Sequence, residues 1–313
     1  ERLPAILRDT LAANPDYPPA IQRNLAALRT ALLADAPIPL LAGPAPEPDW
    51  DDWAAAHRRV QESQRAPLTW QHTPWFFAET YSYRLLMHAV RWHETRRDPF
   101  APKKTPELAN DHLWELLEAA LRIEGDFEVR VFELMLASLW GNRADLSHPA
   151  GELARAEAAD DELLEDERHA AARYLAVGAT EGRAGIHLVL DNGGVELALD
   201  LALADLLLTH GGEQVVLHAK NHPTYVSDAT IPDVWRMIEA MQARGEASGA
   251  LGGRLRAAWD AGRLVLGAHP FWTSSRFWRD MPPALHGALA RARLIVLKGD
   301  VNYRRAVSDA PWD

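Results

Sequence analysis

Apolar residues recur at three- and four-residue spacing over Ile21–Leu33, Phe76–Trp92, Leu108–Leu121 and Phe127–Trp140. That spacing predicts amphipathic helices, and nothing strand-like stands out from Glu1 to about Tyr174. Ala36–Pro48 and Asp98–Pro106 hold much of the proline and are read as loops between helices. Beyond Gly182 the period changes. Short apolar runs appear at Ile186–Leu190, Val215–His218, Leu264–Leu266 and Leu294–Leu297, each followed by a polar turn and a longer helical pattern. Runs of this length suit strands buried on both faces, and their alternation with helices predicts a βαβ series and a parallel sheet. One helix start is sharply signalled: Thr230 can cap, with Pro232 and Asp233 in the first turn ahead of Val234, Met237, Ile238 and Met241. The expectation is an α/β protein, with a helical domain over residues 1–175 and an α/β domain over residues 176–313.

Composition narrows the function. A chain of 313 residues, 48% hydrophobic, is long enough for a sizeable core. Its formal charge of −11, with no long Lys/Arg run, leaves no basic surface for a nucleic-acid backbone. Cysteine is absent, so any metal must be held by oxygen or imidazole. No apolar stretch is long enough for a membrane span and no signal-peptide pattern opens the chain, so the sequence reads as cytoplasmic. It opens at Glu1 without a methionine and stops at Asp313, and both ends are read as undefined.

In an open parallel sheet, ligands bind beyond the carboxyl ends of the strands. The first run is followed there by Asp191-Asn192-Gly193-Gly194-Val195-Glu196, and the second by Lys220-Asn221-His222-Pro223 and then Ser227-Asp228. His269-Pro270-Phe271-Trp272 follows the third run, and Lys298-Gly299-Asp300-Val301-Asn302-Tyr303-Arg304-Arg305 the fourth. Asp191 and Asn192 either cap the following helix or offer oxygens to a hard cation, and the two readings weigh equally on this motif alone. Asp228, taken singly, is an ordinary turn residue. Two successive loops that each deliver a carboxylate to one edge shift the balance toward a metal, which would also let an acidic protein hold a dianionic phosphate. Asp300, Asn302 and Arg304 offer a carboxylate, an amide and a forked guanidinium to one ligand. Arg304 and Arg305 also read as a solvated pair, and Lys298 as a strand-end lysine that snorkels.

Other signals are weaker. His218 and His222 straddle a strand end, and no H-E-x-x-H occurs among thirteen histidines. Gly178, Gly182 and Gly185 precede the strand instead of following it, and no phosphate-loop motif G-x-x-x-x-G-K-[ST] is present. Asp191 lacks the second acid two residues on that an aspartyl-phosphate mechanism expects; Gly193 stands there. Trp70, Trp75, Phe76 and Phe77 read as core before pocket wall.

The blocks PWFFAETY (Pro74–Tyr81), SLWGNRADLS (Ser138–Ser147), LVLDNGGVELALDLALADLLL (Leu188–Leu208), HPTYVSDAT (His222–Thr230) and LIVLKGDVNYRR (Leu294–Arg305) resemble, in order, the metal-dependent damage-control phosphatase family, in its acidic-residue methyltransferase-like branch. The resemblance implies a three-layer α/β/α sandwich with a largely parallel sheet and an N-terminal helical domain. It also implies hydrolysis of small phosphorylated metabolites, sugar phosphates such as fructose 1-phosphate or fructose 6-phosphate, with one divalent metal ion: manganese, cobalt, nickel or magnesium. It implies metal ligands at Asp191, Asn192 and Asp228, and a substrate loop at Asp300, Asn302, Tyr303 and Arg304. Glu79, Asn142, Arg143 and Asp145 match blocks expected to close the pocket from the helical side. Lys220 joins Arg304 as a phosphate contact, and Glu79 and Asp300 are candidates for the general base, with Asp191 or Asp228 as further possibilities. The family pattern continues into a segment with a substrate-contacting lysine that lies past Asp313. Two rivals stand beside the phosphatase: an S-adenosylmethionine-dependent protein carboxyl methyltransferase, disfavoured by the Asp-Asn-Gly-Gly turn, and a non-catalytic sugar-phosphate sensor.

Overall fold

Four short parallel strands, β1 (Ile186–Val189), β2 (Val215–His218), β3 (Leu264–Gly267) and β4 (Leu294–Leu297), form a sheet in the order β3-β2-β1-β4. The computed structural model describes residues 2–42, 47–141, 163–177, 185–210 and 214–310. From β1 the chain moves outward to β2 and β3, then returns to pair β4 on the opposite side of β1, so the strand order reverses between β1 and β4. Val189 lies level with both His218 and Leu297, and the residues that leave these three strands therefore emerge side by side. A crevice at such a reversal is where loop side chains can converge on a ligand.

Side chains alternate across the strands. Ile186, Leu188, Val215, Leu217, Leu264, Leu294 and Val296 face one core, while Val189, Ile295 and Leu297 face another with Phe271, Trp272, Met281 and Leu285. Both faces are covered, which is why the strands read as near-continuous apolar runs, interrupted at His187 and ended at His218. This is the α/β/α arrangement.

In the helical half lie α1 (Arg2–Ala13), α2 (Pro19–Leu33), α3 (Trp50–Glu62), α4 (Trp75–Ala89), α5 (Trp92–Thr95), α6 (Ala101–Lys104), α7 (Asp111–Leu121), α8 (Phe127–Trp140) and α9 (Arg168–Ala176). The sheet half adds α10 (Gly194–Thr209), α11 (Ile231–Gln242), α12 (Glu246–Asp260), α13 (Pro283–Ala290) and α14 (Asp300–Ala306). α11 begins where the sequence placed it, with a capping box in which Thr230 and Asp233 satisfy each other's backbone donors. The segment Asp98–Pro106 differs from expectation: it carries α6 and the start of a 3-10 turn over Thr105–Ala109. Pro102 and Pro106 sit in the first turns of these elements, where a missing N–H costs nothing. Trp70, Phe76 and Phe77 are core residues, whereas Trp75 is 47% exposed.

The two histidines passed over as a metal pair separate. His218 Nε2 and His187 Nδ1 are 2.8 Å apart, and Trp272 Nε1 donates to His218 Nδ1, so the His218 proton sits on Nε2 and points at His187. Burial drives the His218 pKa down to about 4. His222 packs instead against Trp92 in the helical half.

Candidate metal and phosphate site

Asp191 leaves β1 after Leu190, and Asn192 follows at the turn into α10. Asp228 comes from a loop after β2, yet it is held as firmly as a strand residue. The Asp191 carbonyl accepts from Ala229 N at 2.7 Å, the Ser227 carbonyl from Gly193 N at 2.7 Å, and the Ala229 carbonyl from Lys220 N at 2.9 Å. Residues 227–230 are thereby stitched between the ends of β1 and β2, pairing Asn192 with Asp228 and Lys220 with Thr230. The approach to this segment is strained: Tyr225 and Val226 take φ of 48° and 74°. A β-branched residue at positive φ persists only where its surroundings over-determine it.

The Lys220 ammonium lies 3.0 Å from Asp228 Oδ2 and 3.8 Å from Asp191 Oδ1. Asn192 donates to Asp191 Oδ2 and to Glu196 Oε2, both at 2.9 Å, and accepts from Ser227 Oγ at 2.6 Å. Gly299, at φ 84°, closes the other side: a Cβ there would fall inside the Asp191 carboxyl group, so only glycine lets the β4 turn press this close. The resulting cleft, about 420 Å³, is lined by Asp191, Asn192, Glu196, Asp228, Lys298 and Asp300, with Tyr225, Trp140 and Arg2 at its walls.

Four acids thus face the cleft with two ammonium groups among them. Burial pushes the Asp191 pKa up to about 8, reinforced by Asp228, Glu196 and Asp300 and only partly opposed by Lys220. Burial also raises Asp228, against the pull of Lys220. Lys298 does not snorkel, as the sequence suggested. Its Nζ is buried and donates to the Ser138 carbonyl at 2.8 Å and to Asp200 at 2.9 Å, with Glu196 3.0 Å away. Burial works against its charge, but Asp200 and Glu196 outweigh it and hold its pKa above the ordinary lysine value.

The predicted substrate loop is only partly in the cleft. Asp300 is exposed on its wall. Asn302 is fully buried behind it, its amide on the Leu190 and Lys298 carbonyls at 3.3 and 2.8 Å, and Tyr303 is 64% exposed. Arg304 stands one layer away. It donates to Glu79 at 2.9 Å and Asp309 at 2.7 Å, and Glu79, itself buried, also meets Arg2 at 3.4 Å. Asp309 first, and Glu79 after it, hold the Arg304 pKa above its usual value. Asn142, Arg143 and Asp145 lie outside the described residues. Glu196, Ser227 and Lys298 were placed on this edge by the sequence but given no part in the site, and Arg2 was not singled out at all. Glu196 and Lys298 had a signal, since each sits within the turn that follows a strand; Arg2, far away in the chain, had none.

Among the described residues, one group of three acid and imidazole side chains comes close enough to share a metal, and it lies in the helical half: Glu47, Asp49 and His93, with ligand atoms within 4.8 Å of one another. Its two carboxylates already share a buried guanidinium. Arg84, wholly buried, donates to Asp49 at 2.8 and 2.7 Å and also binds Glu47; Trp53 donates to Asp49 at 3.1 Å, and His88 meets Glu47 at 2.9 Å. A cation there would have to displace the Arg84 guanidinium, as one between Asp191 and Asp228 would have to displace the Lys220 ammonium.

Residues 1–313 match the family profile described as the damage-control phosphatase ARMT1-like domain. The chain is 29% identical over 324 residues to the damage-control phosphatase ARMT1 of Danio rerio, with 92% of this chain and 71% of that protein covered. Against the Homo sapiens protein of the same name it is 29% identical over 322 residues, covering 92% and 72%. A solved structure of a DUF89 family protein from Pyrococcus horikoshii superposes with a TM-score of 0.49 at 15% identity, over 83% of this chain and 78% of that one.

Proposed function

Because this chain belongs to the ARMT1-like damage-control phosphatase family, we propose that it releases phosphate from small phosphorylated metabolites in the cytoplasm, with sugar phosphates such as fructose 1-phosphate or fructose 6-phosphate as the leading substrates. The cofactor in this reading is one divalent metal ion, manganese ahead of cobalt, nickel or magnesium. In the same reading, the helical domain of residues 1–175 closes the pocket over residues 176–313. The observation that carries it is the convergence of Asp191, Asn192 and Asp228 on one cleft with Lys220 between the two carboxylates.

The donor set suits a hard cation, since carboxylate and amide oxygens are present without thiolate or imidazole. The surplus of buried acid over ammonium is the charge such an ion would offset. Bound by Asp191, Asn192 and Asp228, it supplies Lewis acidity toward a phosphoryl oxygen. Lys220 contributes a buried ammonium to the phosphoryl oxygens. Arg304 reaches the phosphate by exchanging Asp309 for it, with Glu79 holding the guanidinium in place. Asp300, exposed on the cleft wall, takes the proton of the attacking water; Glu79 is less suited because both its oxygens already meet arginines. Tyr303 lies open to the sugar, while Asn302 serves the site by bracing the loop that carries Asp300.

A phosphate-release assay across a sugar-phosphate panel with manganese, cobalt, nickel and magnesium tests the reading. Metal-stimulated turnover is expected, falling by at least about 100-fold in Asp191→Ala and Asp228→Ala. Undiminished turnover in either variant would overturn the ligand set, and no turnover with any metal would overturn the phosphatase reading.

A further inference from the structure

A second and larger cavity, about 810 Å³, opens on the same sheet edge, beyond the carboxyl ends of β2 and β3, between the loops there and the helical half. That volume is within the range of small-molecule sites. Lys220 stands between the two: it lines this cavity, and its ammonium lies 3.0 Å from Asp228, which lines the neighbouring cleft. The lining is mostly apolar, with Trp92, Ile231 and prolines from both halves.

Its charge runs opposite to that of the molecule. In a chain of net charge −11, four cations, Arg96, Arg97, Arg236 and Lys220, line the cavity against one acid, Asp98. Most of these groups are already matched. Arg97 is tied to Asp16 at 2.7 Å, Arg236 to Asp233 at 2.8 Å, Lys220 to Asp228 at 3.0 Å, and Asp98 to Lys104 at 2.6 Å. Arg96 differs: its guanidinium lies over the Trp92 ring, 4.5 Å from the centroid, and no carboxylate pairs with it among the described residues. The start of α11 borders the cavity too, but its capping box already uses the first donors, so recognition falls to the arginine.

We propose that this cavity is a separate binding site for a small organic anion with a planar apolar body, the body lying along Trp92 and the prolines and the anionic group on Arg96. The site shares only Lys220 with the cleft, and the proposal stands whether or not the cleft is a phosphatase centre.

The probe is 8-anilinonaphthalene-1-sulfonate, an apolar ring system with one anionic group, titrated by fluorescence into the full chain. Saturable binding of one equivalent is expected, weakened by about 10-fold or more in Arg96→Asn, which keeps the left-handed backbone of that position. Ala109→Trp, which fills the cavity, should abolish binding; if it fails to fold by circular dichroism, Arg96→Asn still carries the test because Arg96 is an exposed residue. Asp300→Asn should leave the affinity within about 2-fold, since Asp300 lines the other cleft and pairs with no residue of this cavity. Adenosine 5′-monophosphate should displace the probe where equal inorganic phosphate does not. Non-saturable binding, indifference to Arg96→Asn, sensitivity to Asp300→Asn, or equal displacement by inorganic phosphate would each overturn the proposal.

Discussion

Two acid clusters invite comparison. In the helical half, Asp49 and Glu47 close around Arg84, whose fork meets them through several hydrogen bonds. At the sheet edge, Asp191, Asp228, Glu196 and Asp300 crowd one cleft, and the two lysines reach them as point charges. Burial opposes ionisation in both places. Arg84 outweighs it at Asp49, whose pKa is held below the ordinary value, whereas at Asp191 burial and like charge win. The first cluster sets one forked guanidinium between two carboxylates; the second sets four acids against two ammonium groups. Counting acids does not separate the two. The geometry of the neighbouring cation does.

Arg84→Met attacks the first cluster and should produce the largest change, a loss of about 3–5 kcal/mol in urea unfolding, because it strands the buried Asp49 carboxylate and the half-buried Glu47. A loss under about 1 kcal/mol would show that the carboxylates find other partners. Manganese supplies the converse test: at 100 times its dissociation constant it should stabilise the chain by about 2.7 kcal/mol. Thermal melts should show this shift vanish in Asp228→Asn and persist in Glu47→Gln; the reverse pattern would move the metal to the helical half.

The acid limb of stability sharpens the contrast further. Because the Asp49 folded pKa lies below its unfolded value near 3.8, its contribution is present above that value and is lost as pH falls through the folded one. Asp49→Asn should therefore flatten the low-pH slope in denaturation measured from pH 5 downward. The smallest effect belongs to Val226→Gly. It should shift stability by no more than about 1 kcal/mol, since relief of the strained φ offsets the entropy added to the unfolded chain.

The strands were legible nearly to the residue: Val215–His218 and Leu294–Leu297 match, and the other two differ by one position at one end. Burial on both faces leaves a near-continuous apolar run, and the capping box at Thr230 is equally local. Asp191, Asn192 and Asp228 could be placed on one edge for the same reason. What the sequence could not reveal depends on side chains from distant segments. Lys298 turns inward because Ser138, Asp200 and Glu196 meet it there, and Asn302 is drawn to two carbonyls behind the site. The Arg2–Glu79–Arg304 chain joins three segments that no local pattern connects.

Gly299 has a consequence for how freely this protein tolerates change. With a Cβ excluded by the Asp191 carboxyl and a backbone at φ 84°, both sterics and torsion reject every other residue at this position. A saturation library should pass glycine alone. Relaxing Asp191 to admit a larger residue would move the β1 turn as well, so the loops after β1 and β4 vary as one unit, and a designer seeking new substrates has to alter Asp300 and its neighbours without touching the residue that precedes them.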